Sequence, residues 1–173
     1  MPVGRMQAAE VISDSHGGRI EVWPHGRPAN RAHFRFEWFI APHSSGLPEH
    51  FHPHQEERLH VISGRLLVRI EGHPVFLGPD ERLSISPGTR HTCGNDGETE
   101  ARVRVEFVPG LEIHRFLRAL FAIESSSRGL RRLAAWSLLC TQEPEHIGFR
   151  TRLRLPLRLA AGLARRAGSR PAG

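Results

Sequence analysis

Lysine and tyrosine are absent from these 173 residues, cysteine and methionine occur twice each, and no apolar run is long enough to span a bilayer. Each shortage excludes something. Two cysteines without CxxC spacing do not make a disulfide framework, and thiolate-rich metal clusters are ruled out. The opening MPVGRMQAAEVISDSHGG lacks a basic start followed by an apolar run, so no secretory signal is read and a cytoplasmic location is the expectation. All 24 basic residues are arginine, a bias attributed to a GC-rich genome before function. No internal repeat and no helix-turn-helix segment is found at either end.

What is present concentrates in the stretch HFHPHQEERLHVISG and in a histidine further on. In an extended strand alternate side chains share a face, so His50 and His52 project into one interior, where Glu57 returns from the next strand and His91 supplies a fourth donor. Three imidazoles and a carboxylate suit one divalent transition metal, Fe, Mn, Ni, Cu or Zn, better than magnesium or calcium. Glu56 is the alternative carboxylate, turned outward by alternation if Glu57 faces in. His54 reads as a residue near the site or an exposed one, and His60 as a strand residue facing solvent.

The two clusters resemble the paired motifs of the cupin superfamily. The first reads His50-x-His52-x4-Glu57-x6-Gly64 and the second Gly88-x2-His91-x3-Asn95. The sequence departs from the family pattern at Asp80, where the second motif opens with Gly, at Ser86, where it has Pro, and at Ser44, where the first opens with Gly. These positions shape turns and leave the ligands in place. The resemblance spans roughly residues 32–110. It implies a mainly β fold, a jelly-roll barrel (double-stranded β-helix), and a single cupin domain; it does not identify a reaction. Dimerisation through the sheets is implied by the resemblance alone.

Periodicity agrees with a small barrel. Ala32, Phe34, Phe36, Trp38 and Ile40 alternate with Arg31, His33, Arg35 and Glu37, and Val103, Val105 and Phe107 alternate with Arg102, Arg104 and Glu106. Between them lie 60–70, broken at Ser63-Gly64, a hairpin turn at Glu71-Gly72, 75–77, a turn at Gly78-Pro79-Asp80, and 83–85. The barrel domain is therefore placed at 1–110. After Pro109 the period becomes helical. Leu111, His114, Leu117, Leu120 and Phe121 share one face over 111–123, and a second apolar run covers 130–139, giving C-terminal α-helices over 111–145. From His146 onward there are seven Arg and no acid, against 17 Arg and 18 acids before it, so the whole excess of +6 sits in the tail 146–173. Its Leu residues 153, 155, 157, 159 and 163 favour packing on the barrel or on a second subunit over contact with lipid or nucleic acid.

Alternation also suggests a pocket wall of Phe34, Phe36 and Trp38, with Cys93 two residues beyond His91 on the same face. Such a pocket favours a small hydrophobic, aromatic or polyketide-like ligand over a sugar phosphate, the alternative being ordinary barrel core. Cys93 reads as an inert buried thiol. The resulting expectation is a metal-dependent enzyme, quercetin-dioxygenase-like or polyketide-cyclase-like, with Glu57 as its base. The alternative is a noncatalytic ligand-binding or sensing protein with a structural metal.

Overall fold

The computed structural model describes residues 10–23, 32–127 and 129–148. Nine strands run β1 (Glu10–Ser13), β2 (Arg19–Val22), β3 (Phe34–Ile40), β4 (Glu56–Ser63), β5 (Leu66–Ile70), β6 (His73–Leu77), β7 (Arg82–Ile85), β8 (His91–Gly94) and β9 (Ala101–Val108), followed by α1 (Ile113–Ser126) and α2 (Gly129–Gln142). They form a six-stranded sheet, β1-β2-β3-β9-β4-β7, and a three-stranded sheet, β6-β5-β8. The architecture is mainly antiparallel β with two C-terminal helices. The basic tail from 149 onward and Arg31 lie outside the described residues.

The large sheet buries one face by strict alternation. Ala101, Val103, Val105 and Phe107 of β9 point inward, and the same rows continue through Phe34 and Phe36 of β3 and Leu59 and Val61 of β4. In the register, Glu57 stands beside Phe107 on one side and Ile85 on the other, a carboxylate in an apolar row. A carboxylate is placed there only at a cost in desolvation, so it needs partners of its own.

The outer face of β3 is less exposed than alternation alone suggests. Glu37 is 4% exposed because Arg102 and Arg104 of β9 lie across it as ion pairs, the second at 2.9 Å. Phe39 is covered by the Arg19 guanidinium, 3.7 Å from the ring centre. Arg19 belongs to the β1–β2 hairpin, which extends the sheet beyond β3 and has too short an apolar alternation to be read from sequence.

Between β5 and β6, Glu71 and Gly72 take φ of +51° and +88°, the left-handed pair of a tight two-residue hairpin. The helical face differs from its expected composition. Leu111 has φ +46° and lies before the helix, and His114 bonds Glu10 at 3.0 Å. The buried stripe of α1 is Ile113, Phe116, Leu117, Leu120 and Phe121. Among the described residues, no helix is long and apolar enough to cross a membrane.

Candidate metal centre

The segment before β4 is held as a narrow ribbon between two partners. His50 N–H donates to His91 O at 3.0 Å and His91 N–H returns to His50 O at 2.8 Å; Phe51 exchanges the same pair with Gly148 at 3.0 and 2.8 Å. This extended backbone sends His50 and His52 to one side, as alternation requires. The pairing partner is β8, which brings in His91, while Glu57 arrives from β4. Gly46 allows the loop above to close on β8: it has φ +63°, and a Cβ there would lie 1.8 Å from Cys93 O.

All four groups are buried. One ring nitrogen from each of His50, His52 and His91 lies within 4.8 Å of the others. Glu57 Oε2 is 2.9 Å from His91 Nε2 and 3.5 Å from His52 Nε2. The opposite nitrogen of every ring is spoken for. His50 Nδ1 donates to Pro48 O at 2.8 Å, His91 Nδ1 to Thr89 O at 2.9 Å, and His52 Nδ1 to His146 O at 2.5 Å. Because a neutral imidazole carries one proton, these bonds make each Nε2 the acceptor nitrogen of its ring.

Among the described residues, Glu57 Oε2 and His91 Nε2 are buried without a hydrogen-bond partner, although they stand 2.9 Å apart. Two acceptors at that distance need a cation between or beside them, and the donor set fits a divalent transition metal. The same geometry governs protonation. Burial, reinforced by His52 and His91, pushes the His50 imidazolium down to about 3. Burial alone would raise the Glu57 carboxyl, but the close contact and charge of His52 and His91 outweigh it and hold Glu57 well below the usual carboxylate range. Burial likewise depresses His91, yet contact with Glu57 leaves it above its ordinary value.

His50, His52 and Glu57 line one wall of a cavity of about 560 Å³, with His91 behind them. Phe36, Trp38 and Cys93 line it; Phe34 does not, being buried alongside against Phe36 and His114, each ring 5.5 Å away. Cys93 stays a thiol, since burial and then Glu57 push its pKa well up. Glu56 turns outward to Arg58 at 2.9 Å, and His54 is exposed. His60 is half-buried, with Asp80 3.9 Å away.

Sequence reasoning missed the opposite wall, which comes from α1 and α2 through residues such as Phe116, Phe121 and Trp136. It also missed a polar end. There Glu124 accepts from Trp136 Nε1 at 2.9 Å and from Arg132 at 3.3 Å, and Arg132 also meets His16 Nε2 at 3.3 Å. The helical periodicity of 111–123 was the only signal for this wall. Nothing in it says which structure the stripe faces.

Residues 36–110 match the family model Cupin_2, described as a cupin domain. The tetracenomycin polyketide synthase protein TcmJ of Streptomyces glaucescens is 40% identical over 70 residues, covering 40% of this chain and 46% of that protein. Polyketide synthase CurC of Streptomyces cyaneus is 38% identical over 63 residues, covering 36% and 41%. The aligned part thus spans less than half the length of these relatives. The structure of KdgF from Halomonas sp. has a TM-score of 0.50 at 17% identity, covering 58% of this chain and 86% of that one, and shares the fold.

Proposed function

The chain belongs to the cupin superfamily through residues 36–110, and from that premise we propose that it is a metal-dependent enzyme acting on a multi-ring aromatic or polyketide-like molecule, in a ring-closing reaction. The observation that carries this reading is the convergence of three buried imidazole nitrogens beside an ionised carboxylate, with His50, His52 and Glu57 on the wall of an aromatic cavity. The naming of both relatives as polyketide synthase proteins supports the substrate class.

His50, His52, His91 and Glu57 would hold the ion, which supplies Lewis acidity toward a carbonyl oxygen when bound. The remaining tasks belong to side chains. Phe36, Trp38, Phe107 and Phe116 exclude water and press a flat ligand into one plane. Glu57 is ionised, as a base must be, and with Oε2 turned to the ion its other oxygen, Oε1, is the one left to accept a proton from carbon already acidified by flanking carbonyls.

Length is set by α1. Phe116 packs on His146, ring centres 6.0 Å apart, next to His52, and Glu124 follows eight residues later, roughly 12 Å along the helix axis at 1.5 Å per residue. A ligand of several fused rings spans that interval, with an oxygen at each end.

The test is elemental analysis of untagged protein purified without oxygen, followed by titration with 1,8-dihydroxyanthraquinone while tryptophan fluorescence is recorded. One transition metal per chain and saturable quenching are expected. A folded, metal-free protein that still binds the probe would replace the enzyme with a noncatalytic binding protein, and absence of both signals would end the proposal.

A further inference from the structure

His146 is buried with 0% exposure, and among the described residues its Nε2 has no hydrogen-bond partner. Its other ring nitrogen faces Gln55 Oε1 at 3.5 Å. The Gln55 amide is oriented by its NH2 group, which donates to Pro109 O at 3.0 Å and Gly110 O at 3.2 Å. The atom presented to His146 is therefore an acceptor, and Nδ1 is the nitrogen that carries the proton. Nε2 is left as a bare lone pair.

That lone pair faces two carboxylates. Glu143 Oε2 lies 3.8 Å and Glu145 Oε1 3.7 Å from Nε2. The three ligand atoms all fall within 4.8 Å of one another. Ligand atoms held about 2.1 Å from one ion stand roughly 3 to 4 Å apart, so a small contraction would bring these three onto a common centre. Three acceptors converging, with no donor to His146 Nε2 among the described residues, repeat in miniature the condition of the barrel cluster. Here two of the groups reach solvent, which gives an ion a way in: the Glu143 and Glu145 side chains are 30% and 55% exposed.

We propose that Glu143, Glu145 and His146 form a second divalent-cation site, separate from the barrel cluster and suited to zinc. One imidazole and two carboxylates are borderline-to-hard donors, and with three protein ligands the remaining positions fall to water. The site is placed to fasten the segment that follows α2. The same segment gives His146 O to His52 Nδ1 and pairs Gly148 with the backbone of Phe51. An ion here ties that segment into one rigid piece behind the barrel cluster.

The test counts zinc on the full chain. Protein stripped with a chelator is dialysed against a zinc buffer held at micromolar free metal, and bound zinc is measured per chain. Glu143→Gln/Glu145→Gln is expected to hold one zinc fewer than the unaltered protein, and the same decrement is expected in a His91→Ala background, where the barrel cluster is disabled. If the double variant fails to fold, Glu145→Gln alone, at the more exposed position, is expected to weaken the same zinc at least tenfold. Unchanged zinc content in either background overturns the proposal, His146 then being an imidazolium paired with the two carboxylates.

Discussion

The two ends of the cavity are built by different means. At the barrel end, His50, His52 and His91 each take a hydrogen bond to a backbone carbonyl, at Pro48, His146 and Thr89. At the far end, Glu124, Arg132, Trp136 and His16 are held by one another's side chains. Each of these carbonyls lies two residues before a paired position, His50, Gly148 or His91, and so has little freedom; the rings they orient keep a fixed aim, which a metal demands to within a fraction of an ångström. Side chains bonded to side chains can exchange partners. Such an end adapts to the polar group of a ligand, and this is the division of labour expected where chemistry is done at one end and selection at the other.

The largest effect should come from removing a ligand at the fixed end. His91→Ala deletes the nitrogen nearest Glu57 and leaves a buried carboxylate with less to balance it. Metal affinity, measured by competition with a chelator, should fall more than about 100-fold, and His52→Ala should behave alike. Retention of unaltered affinity in either variant would remove that residue from the coordination sphere.

Acid offers a second way to break the fixed end. His50 is held neutral, its pKa pushed down to about 3 by burial and by its neighbouring histidines, against about 6.5 in an unfolded chain. Between those values the unfolded chain binds a proton that the native protein refuses. The stabilisation from neutral His50 is therefore complete above about pH 6.5 and is lost as pH falls toward 3, on the order of a few kcal/mol in the metal-free protein. Glu57, also depressed, adds to the loss below the ordinary carboxylate range. His91 has the opposite sign: raised, it contributes stability at low pH that fades as pH rises through its folded value. The urea midpoint of the metal-free protein should drop between pH 7 and 4.5, and the drop should shrink in His50→Gln. A midpoint that holds steady would show that His50 is not shielded from protons.

A smaller effect tests whether a carbonyl anchor matters apart from the ligand. A Cβ at Gly148 would meet three ring atoms of Phe51 at 2.3 to 2.7 Å. Gly148→Val should push the segment off Phe51 and take His146 O away from His52. Loss of such an outer hydrogen bond weakens metal binding by about tenfold. The same chelator competition measures it; no change would mean that His52 keeps its aim without the anchor.

The fixed end is also the legible end. His50, His52, Glu57 and His91 could be read because strand alternation and short loops convert sequence spacing directly into facing side chains, and Glu71-Gly72 because a two-residue hairpin demands φ above zero. The wall from α1 could not. Periodicity marked Leu117, Leu120 and Phe121 as one stripe, but a stripe states only that something covers it. Leu111 and His114 were drawn into that stripe by spacing, whereas chain direction before the helix and the partner Glu10 decide otherwise. His146 gave no signal, because what it contributes to His52 is a backbone oxygen, which every residue has.

The adaptable end should yield the smallest and most selective effect. Arg132 makes one contact to His16 and one to Glu124, both at 3.3 Å, and its side chain is 38% exposed, so its removal strands no buried charge without water. Glu124 keeps the indole N–H of Trp136 and the cavity keeps its shape. Arg132→Ala should therefore leave bound metal and stability unchanged. Affinity for 1,8-dihydroxyanthraquinone, which carries oxygens on both edges, should fall about three- to tenfold, the worth of one charge-assisted hydrogen bond near solvent. Titration of both proteins at matched metal content reads the difference. Equal affinity would mean that ligands stop short of α2 and that selection, like chemistry, is confined to the barrel wall. A parallel loss of metal would mean that the two ends are coupled through α1 and are not built independently.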